Sequence, residues 1–162
     1  RYAIKTAEGF DEITGVSRLD FPDKDINISS DIKATFDLVT GKEHVSGRMF
    51  RLYNAAFARF PDKSGLEYWI GKNASGENSN RVVAQSFLAS KEFTNKYGSN
   101  VSHTTYVNNL YKNVLGRDAD TEGLNYWVGN LTKGIETRYE ALLGFAESAE
   151  NKALFSDMTG FS

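Results

Sequence analysis

The residues that could do chemistry fall in two stretches with one pattern. Asp118, Asp120 and Glu122, followed by Gly123, set alternating carboxylates ahead of a glycine, as an oxygen-ligand calcium loop begins. Where such a loop needs its closing bidentate Glu, this chain has Gly129, and the upstream stretch offers only Asp62. Helix capping explains Asp62 and Asp120 together, because a carboxylate just ahead of a helix accepts from the free N–H groups of the first turn. No cofactor is therefore expected. Calcium on Asp118, Asp120 and Glu122 is the subordinate alternative. Arg59 and Arg117 stand just before these caps and could bind a carboxylate or a sugar. Their recurrence points instead to a fold requirement, such as pairing with Glu92 and Glu150.

Tyr68-Trp69 and Tyr126-Trp127 could form an aromatic platform for a sugar ring. Neighbours on a helix point about 100° apart, so both cannot sit on one narrow buried face. Trp is expected in the core, and Tyr half-exposed with its hydroxyl bonded or wet. Tyr68, Tyr126, Arg59 and Arg117 are thus the candidate ligand-binding residues. His44 and His103 lack acidic or serine partners at any motif spacing. The chain contains no Gly-x-Ser-x-Gly, no His-Glu-x-x-His, no phosphate-cradling glycine loop and no dinucleotide fingerprint. No catalytic residue is expected, and the chain is not read as an enzyme.

These residues are positioned by a repeat. Arg-x-x-Asp-x-x-Gly-Leu-x-Tyr-Trp occurs at Arg59–Trp69 and again at Arg117–Trp127, an offset of 58 residues. The offset persists without a gap, from Leu52-Tyr53 and Leu110-Tyr111 to Phe87 and Phe145. Met49, Leu52, Tyr53, Ala56, Phe57 and Phe60 follow helical spacing, and Pro61 should end that helix near Phe60. Asp62 should cap a second helix that gives way to a polar loop flanked by Gly71 and Gly76. Ser79 or Asn80 should start a third, and Ser90 should cap a fourth ending near Tyr97-Gly98. Tyr106 to Leu115, Asp120 to Gly134, Tyr139 to Ala146 and the helix capped by Ser148 repeat the set. Each unit alone is too small to bury its apolar face, so the two should pack on each other with Trp69 and Trp127 near the shared core.

Residues 1–40 read differently. Arg18-Leu19-Asp20-Phe21 and Asp25-Ile26-Asn27-Ile28 alternate polar and apolar around the turn signal Pro22-Asp23-Lys24, which predicts a small β-hairpin or β-layer. The expected organisation is an N-terminal β segment (1–40), a two-repeat helical domain (41–155) and a tail (156–162). The fold class is mainly α: about eight short helices in two pseudo-repeats packed on each other, behind the small β element. At 162 residues, 40% hydrophobic and 13% aromatic, the chain has enough apolar material for a core. A net charge of −2 with no basic stripe argues against nucleic acid as a partner. No apolar run approaches the ~20 residues of a membrane span. Without cysteine there are no disulfides and no thiol chemistry. The chain starts at Arg1 rather than Met, so a fragment or processed chain is expected.

Leu52-Tyr53-Asn54-Ala55-Ala56-Phe57, Arg59-Phe60-Pro61-Asp62, Gly65-Leu66-Glu67-Tyr68-Trp69-Ile70 and Ser86-Phe87-Leu88-Ala89-Ser90 resemble the bacterial domain-of-unknown-function 4214 family. So do Asn113-Val114-Leu115-Gly116-Arg117, Tyr126-Trp127-Val128 and Leu143-Gly144-Phe145-Ala146-Glu147-Ser148, and the likeness spans about residues 48–155. More distantly it is similar to the helical repeat of phycobilisome linker proteins, through the Leu-Tyr, Gly-Arg and Ser-x-Glu landmarks. The stretch from Gly9 to Phe21 resembles the end of calcium-binding repeat regions in proteins exported by type I secretion. The Gly-Gly-x-Gly-x-Asp repeats themselves are missing, so their calcium chemistry is not implied. The resemblance implies an extracellular or cell-surface protein and supplies no catalytic residues. The function expected is a non-catalytic interaction module for adhesion, surface-layer or matrix attachment, or protein assembly. Its partners would be other protein domains of the same or a neighbouring surface protein. The alternatives are a carbohydrate- or small-ligand-binding module and an accessory domain of an exported hydrolase.

Overall fold

Polar–apolar alternation becomes strand and 3.6-residue spacing becomes helix along much of this chain, and the segment after Asn27 departs from that reading. The computed structural model describes residues 2–6 and 9–162, with side chains described for Glu12 and from Thr14 onward. Arg1, Ala7 and Glu8, included in the expected β segment, lie outside the described residues. So do the side chains at 9–11 and 13 in the stretch likened to calcium-repeat ends.

Two separate antiparallel hairpins open the chain. β1 (Tyr2–Thr6) pairs with β2 (Gly9–Ile13), and β3 (Arg18–Asp20) pairs with β4 (Asp25–Asn27) in the register Leu19 opposite Ile26. The second hairpin turns through Pro22-Asp23-Lys24, as the alternation predicted. After the second hairpin the expected β segment turns helical as far as Asp37. A π-helical turn, Ile28–Lys33, runs into α1 (Ala34–Asp37). Asn27 starts it by accepting from the Ser29 and Ser30 amides at 3.0 and 3.1 Å. A short polar stretch with one buried Ile carries too little periodicity to show this from sequence.

The first repeat contains α2 (Val45–Phe57), α3 (Lys63–Ala74), α4 (Asn80–Leu88) and α5 (Lys91–Tyr97). The second contains α6 (His103–Leu110) with a π turn Tyr111–Leu115, α7 (Thr121–Thr132), α8 (Arg138–Ala146) and α9 (Ala149–Thr159). Asp62, Ser79 and Ser90 cap α3, α4 and α5, and Asp120 and Ser148 cap α7 and α9. α2 stops at Phe57, before Pro61, because Ala58 turns left-handed at φ 49°. One repeat later Gly116 makes the same turn at φ 68° without the steric cost a Cβ brings. Gly71 and Gly129 lie inside α3 and α7. The helices run through them to Ala74 and Thr132, so Gly71 does not start the loop.

One apolar core spans both repeats, with Phe50, Leu52, Leu66, Val83, Val107, Leu110, Ala141 and Leu142 fully buried in it. α8 packs against both α2 and α4, which joins the repeats. The tryptophans sit at the rim of this core rather than at its shared centre. Trp69 meets Phe87 and Trp127 meets Phe145, each at 5.0 Å and each within its own repeat. Among the described residues no helix is long and apolar enough to cross a membrane.

Candidate functional site

The repeated motif folds into two similar corners that share the Arg–Glu pair and the Asp cap. In the first repeat α2 ends at Ala58, and Pro61 holds the linker extended into α3. This brings Arg59 against α5, where Nε and Nη2 donate to the two Glu92 carboxylate oxygens at 2.6 and 3.2 Å. Its Nη2 also donates to the Tyr53 hydroxyl at 3.0 Å, and Tyr53 donates to Asp62 at 2.6 Å. Asp62 accepts from the Gly65 amide at 2.8 Å and so caps α3. In the second repeat Arg117 grips Glu150 at 2.7 and 2.8 Å, and Asp120 accepts from the Gly123 amide at 2.7 Å. The two guanidinium groups lie 5.1 and 5.0 Å from the ring centroids of Tyr53 and Tyr111. Each such arrangement ties a helix end, a linker and a helix two elements further on into one corner.

The glycine of the motif is a steric requirement of that corner. A Cβ on Gly123 would lie 2.2 Å from the Tyr111 hydroxyl, and one on Gly65 would lie 2.8 Å from an Asp62 carboxylate oxygen. The corner also fixes ionisation. Burial pushes the Asp62 carboxyl up, but hydrogen bonds from Tyr53, the Gly65 amide and Ser64 outweigh it and hold it at about 2. Burial, aided by the bond to Asp62, pushes the Tyr53 phenol up to about 12. The hydrogen bond from Arg117 lowers the Glu150 carboxyl despite some burial.

Arg59 and Arg117 are thus engaged in the pairs that tie these corners, with 36% and 41% of their side chains still exposed. Asp120 caps α7. Asp118 points outward, 3.8 Å from the Lys112 ammonium, and Glu122 lies exposed in the first turn of α7. Among the described residues no three His, Asp or Glu side chains are grouped to hold a metal ion. His44 caps α2, its Nδ1 accepting from the Ser46 amide at 3.2 Å, and His103 Nδ1 lies 3.3 Å from an Arg138 nitrogen.

Tyr68 and Tyr126 are displayed instead. They are 54% and 59% exposed, each set edge-on against the Trp that follows it, at 5.0 and 5.3 Å. Beside Tyr68 lies an open depression of about 500 Å³, lined by Ser64, Glu67, Tyr68, Gly71, Lys72 and Glu77. The Lys72 ammonium lies 5.5 Å from the Tyr68 ring centroid and is bonded to Glu77 at 2.6 Å.

Sequence reasoning missed Arg51. Its side chain is 1% exposed and donates to both Glu147 oxygens at 3.2 and 3.0 Å and to the Lys42 carbonyl at 2.7 Å. Helical spacing hides it, because Arg51 falls beside the apolar stripe of α2, and its equivalent one repeat on is Asn109.

Residues 84–155, from within α4 to α9, match the family model described as Domain of unknown function (DUF4214). The matched segment takes in the end of the first repeat and nearly all of the second. No curated protein and no solved structure matches the chain.

Proposed function

We propose that this chain is a non-catalytic interaction module of a secreted or cell-surface bacterial protein, serving attachment or protein assembly. One observation carries the reading. The ionisable residues that recur in both repeats are spent on holding helices together, whereas the recurring aromatic residues Tyr68 and Tyr126 are turned outward. A fold that commits its recurring charges to its own corners and displays aromatic rings is suited to contact, since an exposed Tyr offers area at small entropic cost. The wider likeness of residues 48–155 to the same family, and that of the N-terminal stretch to the ends of secreted calcium-repeat regions, support a surface location. Other domains of the same or a neighbouring surface protein are the partners this reading favours.

The test is to display the chain on beads and measure retention on bacterial cell surfaces and extracted matrix under flow. Chromogenic glycosides, esters and peptides are assayed on the same preparation. Retention that is lost when Tyr68 and Tyr126 are both changed to Ala, without turnover, is the expected result. Turnover that scales with protein concentration would overturn the reading.

A further inference from the structure

The recurrence of Gly71 and Gly129 has no packing explanation. A glycine inside a helix weakens it relative to alanine. At Gly65 and Gly123 neighbouring atoms leave no room for a Cβ. At Gly71 and Gly129 a Cβ would meet nothing within 4 Å, and neither backbone is left-handed. Each of these open glycines lies three residues after an exposed Tyr, on the same helix face. The fold gains nothing from the pairing, yet both repeats carry it. In the first repeat the space so kept open is the depression beside Tyr68.

We propose that the Tyr68–Gly71 notch on α3 binds a neutral saccharide ring. This rests on the reading of the chain as a non-catalytic interaction module and gives that module a ligand class. The lining favours a sugar over an apolar side chain. One aromatic ring is surrounded by a hydroxyl, two carboxylates and an ammonium, from Ser64, Glu67, Glu77 and Lys72. The C–H face of a pyranose lies on the tyrosine ring, and its hydroxyls donate to Glu67 and Glu77 and accept from Lys72. Lys72 pairs with Glu77 at 2.6 Å and Lys63 with Glu67 at 3.9 Å, so the rim is polar without net charge, which suits a neutral ring. Gly71 lets the ring approach the helix backbone, where any side chain would stand in the way. The equivalent face of α7 has Asn125, Asn130 and Ile135 in place of Glu67, Lys72 and Glu77. It keeps the ring, but Glu122, in place of Ser64, is the one charged residue at these positions.

The test is titration of the whole chain with cello-, chito-, manno- and galacto-oligosaccharides, read by amide chemical shifts. Reducing ends are assayed in the same tubes. At least one series is expected to shift amides of α3 between Ser64 and Glu77 in a saturable way. Tyr68→Ala should weaken that binding at least tenfold. Gly71→Ala keeps the experiment decisive if Tyr68→Ala misfolds: it should raise the melting temperature yet weaken binding. The proposal is overturned if no saccharide shifts α3, if Gly71→Ala binds as well as wild type, or if apolar peptides shift α3 and sugars do not. New reducing ends would instead sink the non-catalytic reading while leaving the site in place, so the two failures are distinguishable.

Discussion

Glu147→Ala should destabilise the protein far more than its surface position suggests. Arg51 carries a full charge at 1% side-chain exposure, and three hydrogen bonds hold it, two of them to Glu147. Its guanidinium also lies 4.8 Å from the Phe155 ring centroid. Removing the Glu147 carboxylate leaves a buried cation with one neutral acceptor. Breaking a buried pair in this way costs about 3–5 kcal/mol. Glu147 keeps 27% of its side chain in water, and water can enter part of the space it vacates. We therefore place the cost at the lower end, about 3 kcal/mol. In a chain of this size each kcal/mol moves the melting temperature by roughly 2–4 °C, so a fall of roughly 6–12 °C is expected by circular dichroism. Arg51→Met should cost only about 1 kcal/mol, because the freed Glu147 can hydrate and the thioether fills the cavity. Lys152, 3.5 Å from Glu147, also remains as its partner. Adding Glu147→Leu to Arg51→Met should recover most of that loss. A melting temperature within 1 °C of wild type for Glu147→Ala would refute the reasoning, since Arg51 would then not depend on its carboxylate.

Two further outcomes follow from the same geometry. Within α7, Gly123→Ala should lower the melting temperature, because its Cβ would strike the Tyr111 hydroxyl at 2.2 Å, while Gly129→Ala meets open space and should raise stability by about 1 kcal/mol; opposite signs in thermal melts are the check. Burial raises the phenols of Tyr97 and Tyr106, and burial plus the Asp62 bond raises Tyr53 to about 12, whereas an unfolded phenol titrates near ~10. The folded state therefore binds these protons more tightly, so their contribution is fully present below about pH 10; that of Tyr53 is lost as pH rises through about 12, and those of the more deeply buried Tyr97 and Tyr106 at higher pH. In a titration at 295 nm at least these three of the eight tyrosines should ionise only as helicity is lost; all eight titrating near pH 10 with helicity intact would contradict it.

The sequence made the two repeats, their caps and the β3–β4 hairpin legible because each rests on a local rule. Asp62, Asp120, Ser90 and Ser148 announce helix starts by residue type and position. Pro22-Asp23-Lys24 announces a turn. The Arg59–Glu92 and Arg117–Glu150 pairs were legible because the same partners recur at the same spacing. What depends on three-dimensional proximity stayed hidden. Arg51 and Glu147 lie 96 residues apart in the chain, and neither has an equivalent in the other repeat. Gly71 reads as a helix breaker by type, yet α3 runs through it to Ala74. The helix after Asn27 was hidden by its polar run, and the tryptophans were placed too deep because Phe87 and Phe145 cover them locally.

The way the repeats join bears on where a partner can bind. Tyr97 on α5 and Phe155 on α9 occupy the same repeat position. Tyr97 packs on Tyr106 of α6, and Phe155 packs on Phe50 of α2, both at 5.8 Å. Each repeat's last helix therefore sets one ring against the first helix of the other. An open-ended array would use this contact once per junction and leave the final helix uncovered. Here both terminal contacts are made between the two repeats, with Arg51 stacked on Phe155 at the second. A third repeat added by the same contact would have to displace α9 from α2. Growth by stacking is thus blocked at the surface where repeat proteins ordinarily extend. The faces of α3 and α7 that carry Tyr68 and Tyr126 lie outside that closed contact, and there aromatic rings recur more than half exposed. A partner that engaged this protein through what its repeats have in common would find the two tyrosine rings there.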